Sequence, residues 1–202
     1  MERWVVAAKR ADFAAIGNEF GIDPVIARLI RNRDVQDREE IRRYLHGTVE
    51  ELASPHLMKD VDKAVEILRN KIKEKKRIRI IGDYDIDGVV STFILIKGLK
   101  RVGALADTYI PDRVADGYGI HEHLIERAVN DGIDIIVTCD NGIAAYNEIA
   151  MAKEKGMTVI ITDHHEIPYK ETESGRELIL PSADAIVNPK QPDCNYPEKR
   201  LC

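Results

Sequence analysis

From residue 77 onward, short apolar runs alternate with stretches of helical spacing, and this alternation narrows the accessible folds more than any other feature. The runs 77–82 (RIRIIG), 105–110 (LADTYI), 133–139 (IDIIVTC), 157–162 (MTVIIT) and 183–187 (ADAIV) are short and mostly rich in β-branched residues, as buried strands are. Helical spacing fills 88–101, 121–130 and 144–155, with Gly103, Gly132 and Gly156 as stops. Near-continuous apolar strands separated by helices predict an α/β fold: a parallel sheet with helices on both faces. The polar stretch 170–177 reads as a surface loop.

Residues 1–76 read as a helical N-terminal region, and 77–202 as the α/β domain. Asp23-Pro24 predicts a cap and first turn for a helix through Ile30. Asp37 with Glu40 forms a capping box for a helix ending near His46-Gly47. Asp60 is placed to cap a longer helix carrying Val61, Ala64, Val65, Leu68 and Ile72. The basic cluster that follows (Lys71, Lys73, Lys75, Lys76, Arg77, Arg79) suits the carboxyl end of that helix, with a phosphate-facing patch as the sharper alternative.

A net charge of −5 does not advertise nucleic-acid binding, which would need a local basic surface or residues beyond this chain. Cys139, Cys194 and Cys202 have neither paired spacing nor an even count, favouring a reducing compartment. No apolar run is long enough for a membrane span, and MERWVVAAKR lacks a signal-peptide core, so a cytoplasmic protein without membrane association is expected.

In sheets of this class, ligands sit outside the carboxyl ends of the strands. There the sequence places Asp83, Asp85 and Asp87 after the first strand, Asp140 after the third, and Asp163, His164 and His165 after the fourth. Clustered carboxylates are electrostatically costly unless a cation neutralises them. The DxDxDG spacing from Asp83 begins like an EF-hand loop, but its twelfth position is Ile94, so that reading fails. A phosphoacceptor receiver domain also gathers acids at strand ends but has no use for paired histidines. Carboxylates with imidazoles suit Mn²⁺, Fe²⁺, Zn²⁺ or Mg²⁺ with Mn²⁺, and enough ligands for two ions points to a two-metal hydrolytic centre. Cys139 reads as a buried strand residue rather than a nucleophile.

GDYDIDG, VTCDNGI and TDHH, in that order, resemble the DHH phosphoesterase superfamily. LASPHLMKDVDKAVEIL, YIPDRVADGYGI and IVNPKQPDCNYPEKRLC resemble its RecJ-like branch of single-strand-specific DNA exonucleases. The resemblance implies a Rossmann-like domain hydrolysing phosphodiester bonds with Mn²⁺ or Mg²⁺, 5′-to-3′ on single-stranded DNA, releasing 5′-mononucleotides in repair and recombination. Asp85, Asp87, Asp140 and His164 would be metal ligands, with Asp140 bridging, and a water activated near Asp87 and Asp140 would attack. His165 would sit beside the scissile phosphate as ligand or acid/base helper. Asp83 and Asp163 would orient ligands, Asn141 and Gly142 would shape the turn presenting Asp140, and Arg113 would grip a substrate phosphate.

His121 and His123 are expected not to be ligands. A single-strand-binding protein or a helicase would be the partner. The resemblance further implies that motifs follow Cys202, making the domain incomplete at its carboxyl end and this piece doubtful as an active unit. Two other readings keep these residues: a relative acting on short oligonucleotides, cyclic dinucleotides, pyrophosphate or polyphosphate, and a non-catalytic replication scaffold.

Overall fold

The computed structural model describes residues 9–173, 175–199 and 201 of the 202-residue chain. Most of the N-terminal segment read for a signal core, and Arg200 and Cys202 of the last motif, lie outside the described residues. Two compact units are formed, Met1–Leu52 and Ala53–Cys202.

The first unit holds α1 (Phe13–Phe20), α2 (Pro24–Asn32) and α3 (Arg38–His46). Asp12 and Asp23 cap the first two through their carboxylates, and Asp37 with Glu40 forms the reciprocal capping box on α3.

The second unit runs α4 (Val61–Lys73), β1 (Arg77–Ile81), α5 (Ile86–Arg101), β2 (Leu105–Tyr109), α6 (Glu122–Asn130), β3 (Ile135–Cys139), α7 (Tyr146–Glu154), β4 (Thr158–Thr162), β5 (Tyr169–Thr172), β6 (Gly175–Leu178) and β7 (Ala185–Val187). Five strands form one parallel sheet in the order β2-β1-β3-β4-β7. Alternation along each strand sends side chains to opposite faces. Ile81, Ile136, Val159 and Ile161 pack with α6 and α7 on one face, while Ile78, Ile80, Ile135, Val137 and Ile160 pack with α4 and α5 on the other. Each such isoleucine is essentially inaccessible and contributes about 1.5–3 kcal/mol by leaving water. The expected α/β architecture is therefore the observed one.

The helical-to-α/β change expected at residue 76 does not coincide with the division of the chain, which falls after Leu52. The helix α4 belongs with the sheet because Ala64 is buried beside Ile78 and Ile80, with Ile67, Leu68 and Ile72 against the same cluster. The stretch expected as a loop at 170–177 is a two-stranded antiparallel hairpin, β5 with β6. Its residues are exposed throughout, so it carries none of the apolar alternation by which strands announce themselves. Asp60 precedes α4 but makes no side-chain cap: its backbone is left-handed (φ 62°), and its carboxylate accepts from the Ile186 amide on β7 at 3.0 Å. The helix α5 begins at Ile86, earlier than expected, so Asp87 lies within its first turn. No described helix is long and apolar enough to cross a membrane.

Candidate metal centre

The sheet order carries the chain from β1 to β2 on one side and to β3 on the other. At such a switch point the connections diverge and leave a crevice beyond the strand ends. The turn after β1 and the turn after β3 meet there. Ligand atoms of Asp83, Asp85 and Asp140 lie within 4.8 Å of one another, and so do those of Asp140, His164 and His165. Asp140 is common to both groups.

The turn after β1 is short because α5 starts against the strand end. At Gly88 a Cβ would run into the backbone of Asp83, so only glycine permits this approach. Asp85 is the N-cap of α5 and accepts from the Gly88 amide at 2.9 Å, which is the chief reason its carboxyl is held below the usual range. Asp83 is 1% exposed, and its Oδ1 has no hydrogen-bond partner.

The turn after β3 stores backbone strain, with φ 61° at Asp140, a non-glycine residue, and 103° at Gly142. A Cβ at Gly142 would lie 2.7 Å from Thr138 Oγ1, whose hydroxyl donates to the Asn141 carbonyl at 2.9 Å. Burial pushes the Asp140 carboxyl up, as does neighbouring Asp85, while His164 opposes the rise. Its Oδ2 is buried without a partner, and so are both amide atoms of Asn141.

The turn after β4 is organised by Asp163. Its Oδ1 accepts from the His164 amide (2.7 Å), the His165 amide (3.0 Å) and His165 Nδ1 (2.7 Å). Its Oδ2 accepts from the Ile143 amide at 2.9 Å, tying this turn to the one after β3. His164 Nδ1 donates to the Leu201 carbonyl at 3.1 Å, because a carbonyl can only accept. His164 Nε2 then faces Asp140 Oδ1 at 2.7 Å. A neutral ring places a lone pair against a carboxylate oxygen there, which is repulsive unless a proton or a cation lies between them. Unpartnered buried carboxylate oxygens on Asp83 and Asp140 call for the same thing. A divalent cation fits these residues: hard oxygen ligands, imidazole nitrogen, and excess negative charge at partly buried positions.

His165 is held from both sides. Asp163 Oδ1 accepts from its Nδ1–H, and the Tyr118 hydroxyl lies 3.1 Å from its Nε2. Partial burial, and then the surrounding carboxylates, push the Tyr118 hydroxyl up to about 12, so it remains a donor at neutral pH. The Tyr118 ring meets His165 edge-on at 6.2 Å and Tyr84 edge-on at 6.2 Å. The Arg113 guanidinium lies over the Tyr84 ring, 4.6 Å from its centroid.

Of the residues singled out in the sequence, Asp85, Asp140, His164 and His165 are brought together, with Asp83 and Asp163 among them. Asp87 stands apart from both close groups: its exposed side chain lines a cavity of about 350 Å³ together with Asp140, Asp163 and His164. Arg113 is exposed on the loop after β2. His121 and His123 stack on each other at 6.0 Å, outside the two groups, and His123 pairs with Asp116 at 2.8 Å. Cys139 is buried, 3.2 Å from Thr92 Oγ1, with its thiol pushed up by burial. Sequence reasoning missed Tyr84 and Tyr118. The signal for Tyr118 was present, since an aromatic between two loop glycines, both with positive φ (78° and 91°), is held by the backbone in a defined place.

Residues 77–200 match the family model described as DHH family, N-terminal domain. The chain is 38% identical over 200 residues to the single-stranded-DNA-specific exonuclease RecJ of Bacillus subtilis, covering 98% of this chain and 24% of that protein. It is 35% identical over 187 residues to the RecJ of Haemophilus influenzae, covering 92% of this chain and 30% of that one. A crystal structure of exonuclease RecJ bound to manganese superposes with a TM-score of 0.59 at 30% identity, over 71% of this chain and 37% of that one. The chain thus spans about a quarter to a third of these relatives. With the parallel sheet, the acidic and imidazole turns on one rim and a family match over most of its length, the chain belongs to the DHH family.

Proposed function

We propose that this chain carries the catalytic core of a metal-dependent phosphoesterase, and that the protein degrades single-stranded DNA from its 5′ end, releasing 5′-mononucleotides. One observation carries the reading: Asp140 belongs to both an all-carboxylate group and a carboxylate–imidazole group, and its Oδ2 and Asp83 Oδ1 are buried without a partner. Such a shared carboxylate suits a pair of divalent cations, Mn²⁺ or Mg²⁺, held by Asp85, Asp140 and His164, with Asp87 from the cavity wall. The cations would supply water activation and charge neutralisation at phosphorus.

The chain's own residues do the rest. Asp163 orients the ligand turns, Asn141 shapes the strained turn that presents Asp140, and Asp83 adds its buried, unpartnered oxygen to the carboxylate group. His165, its Nδ1 proton fixed on Asp163, offers Nε2 as the position at which a proton is taken up or given back near the phosphate. Arg113, planar and charged, binds a phosphate oxygen of the strand. The single-stranded-DNA exonuclease activity of the relatives and the manganese-bound neighbour support this reading. On it, the protein acts in the cytoplasm in DNA repair and recombination, on strands exposed by a helicase or held by a single-strand-binding protein. The residues performing the chemistry all lie within 77–202, in the unit that begins at Ala53.

The test uses the full-length protein with Mn²⁺ and 5′-labelled strands. Stepwise release of mononucleotides from single strands, absent for duplex and lost in Asp140→Ala together with bound Mn²⁺, is expected. Preferential cleavage of dinucleotides over long strands would move the assignment to another member of the family, and full activity without bound metal would overturn it.

A further inference from the structure

A second cavity, of about 360 Å³, opens beside His165, between residues 118–121 and the turn leading into α7. Its size falls within the range of small-molecule sites. Tyr118 supplies an aromatic wall that is more than half exposed, and the buried Ile120 and Ile143 supply an apolar floor. Asn141 lines it, is 2% exposed, and has no partner for either amide atom. His121, also on the wall, has a buried Nε2 without a partner. Unmet donors and acceptors of this kind call for a ligand that offers both.

The charge on the wall decides which ligand. Glu148 and Glu166 line the cavity, and among the described residues lining it there is no lysine or arginine. A phosphate would be repelled. A flat, neutral ring with donors and acceptors along its edge meets every feature: a face for Tyr118, an edge for Asn141, and no charge for the glutamates.

We propose that this cavity receives the base of a nucleotide flanking the scissile phosphate. The inference rests on the phosphoesterase reading for its placement, since His165 borders both the cavity and the candidate metal centre. It makes binding tolerant of sequence, because every base has a face to stack.

Two measurements on the full-length protein test it. In metal-free protein, saturation-transfer NMR should transfer magnetisation to the base protons of thymidine and leave deoxyribose 5-phosphate silent. Ala144→Trp, which fills the cavity from an exposed position on its wall, should reduce the thymidine signal at least fivefold. Ala144→Leu serves the same purpose should the larger residue disturb folding. In Mn²⁺, a strand abasic at its first or second nucleotide should show a KM raised roughly tenfold at one of those positions, the scale of one lost stack. Ala144→Trp should raise KM by a similar factor on the intact strand and add nothing on that abasic strand. Absence of a thymidine signal, or equal loss of intact and abasic strands in the variant, overturns the cavity assignment while leaving the phosphoesterase reading standing. Thymidine binding without any cleavage of DNA does the reverse.

Discussion

The carboxylate of Asp163 joins two of the three turns at the rim, and replacing it by Asn exposes how much depends on that junction. In the native protein Oδ1 accepts three hydrogen bonds and Oδ2 one. An amide retains only one accepting oxygen. Facing it toward the histidine turn keeps three bonds but sets the amide NH₂ against the Ile143 N–H, leaving a buried donor unpaired at about 1–3 kcal/mol. The three retained bonds also fall from a charged acceptor to a neutral one, each weaker by about half. Allowing for non-additivity, Asp163→Asn should lose about 3 kcal/mol, several degrees in Tm for a chain of this size. Urea denaturation of the metal-free protein measures it. The opposite orientation would set NH₂ against both the His164 and His165 amides and is disfavoured. In the favoured one a weaker, neutral acceptor holds His165 Nδ1, so cleavage should fall about 10–100-fold, as for other residues that orient metal-site ligands. A loss below about 1 kcal/mol together with unchanged cleavage would show that Asp163 does not couple the turns, and the argument for a preorganised rim would go with it.

Arg79, in β1, is mostly buried and reaches Asp107 through Nε and Nη2 (both 2.8 Å) and Asp131 through Nη1 (2.7 Å). Arg79→Met should cost about 1–3 kcal/mol by urea denaturation, less than for a fully buried pair because both carboxylates are partly solvated; a neutral result would mean the network is stability-silent. Asp131 is held low chiefly by Arg79, and Asp134 is held low by the Arg77 amide and Lys76 despite the opposing effect of burial. Carboxyls depressed on folding stabilise fully above their unfolded value near about 3.9 and lose that contribution as pH falls through the folded value. Stability should therefore drop on acidification below about pH 4, with a shallower slope in Asp134→Asn, and identical slopes would contradict the assignment. Mn²⁺ at a hundredfold excess over its dissociation constant should stabilise the protein by about 2.7 kcal/mol. Asp140→Ala should abolish the resulting shift in Tm, and a shift that survives would place the ion elsewhere.

What was legible in the chain was whatever depends on near neighbours. The buried strands were visible because isoleucine and valine runs have no other good home, and α2 and α3 because their caps lie within three or four residues of what they cap. The rim was visible for the same reason: a parallel sheet delivers the residue after every strand to one edge, so Asp140 and the histidine pair could be placed without coordinates.

Distances across the fold were not legible. The β5–β6 hairpin buries nothing, so composition left no trace of it. The Asp60 carboxylate serves β7 instead of its own helix, because a left-handed backbone turns it toward a strand 126 residues away. The choice of Asp83 over Asp87 for the close group follows from where α5 begins, itself set by how near Gly88 can approach the strand end. Side-chain identity along the chain determined which elements form and which chemistry lines the rim. Only tertiary packing decided which carboxylates converge, which nitrogen of each histidine faces them, and that Tyr118 stands behind His165, because those relations depend on strand order and turn strain that no local pattern encodes.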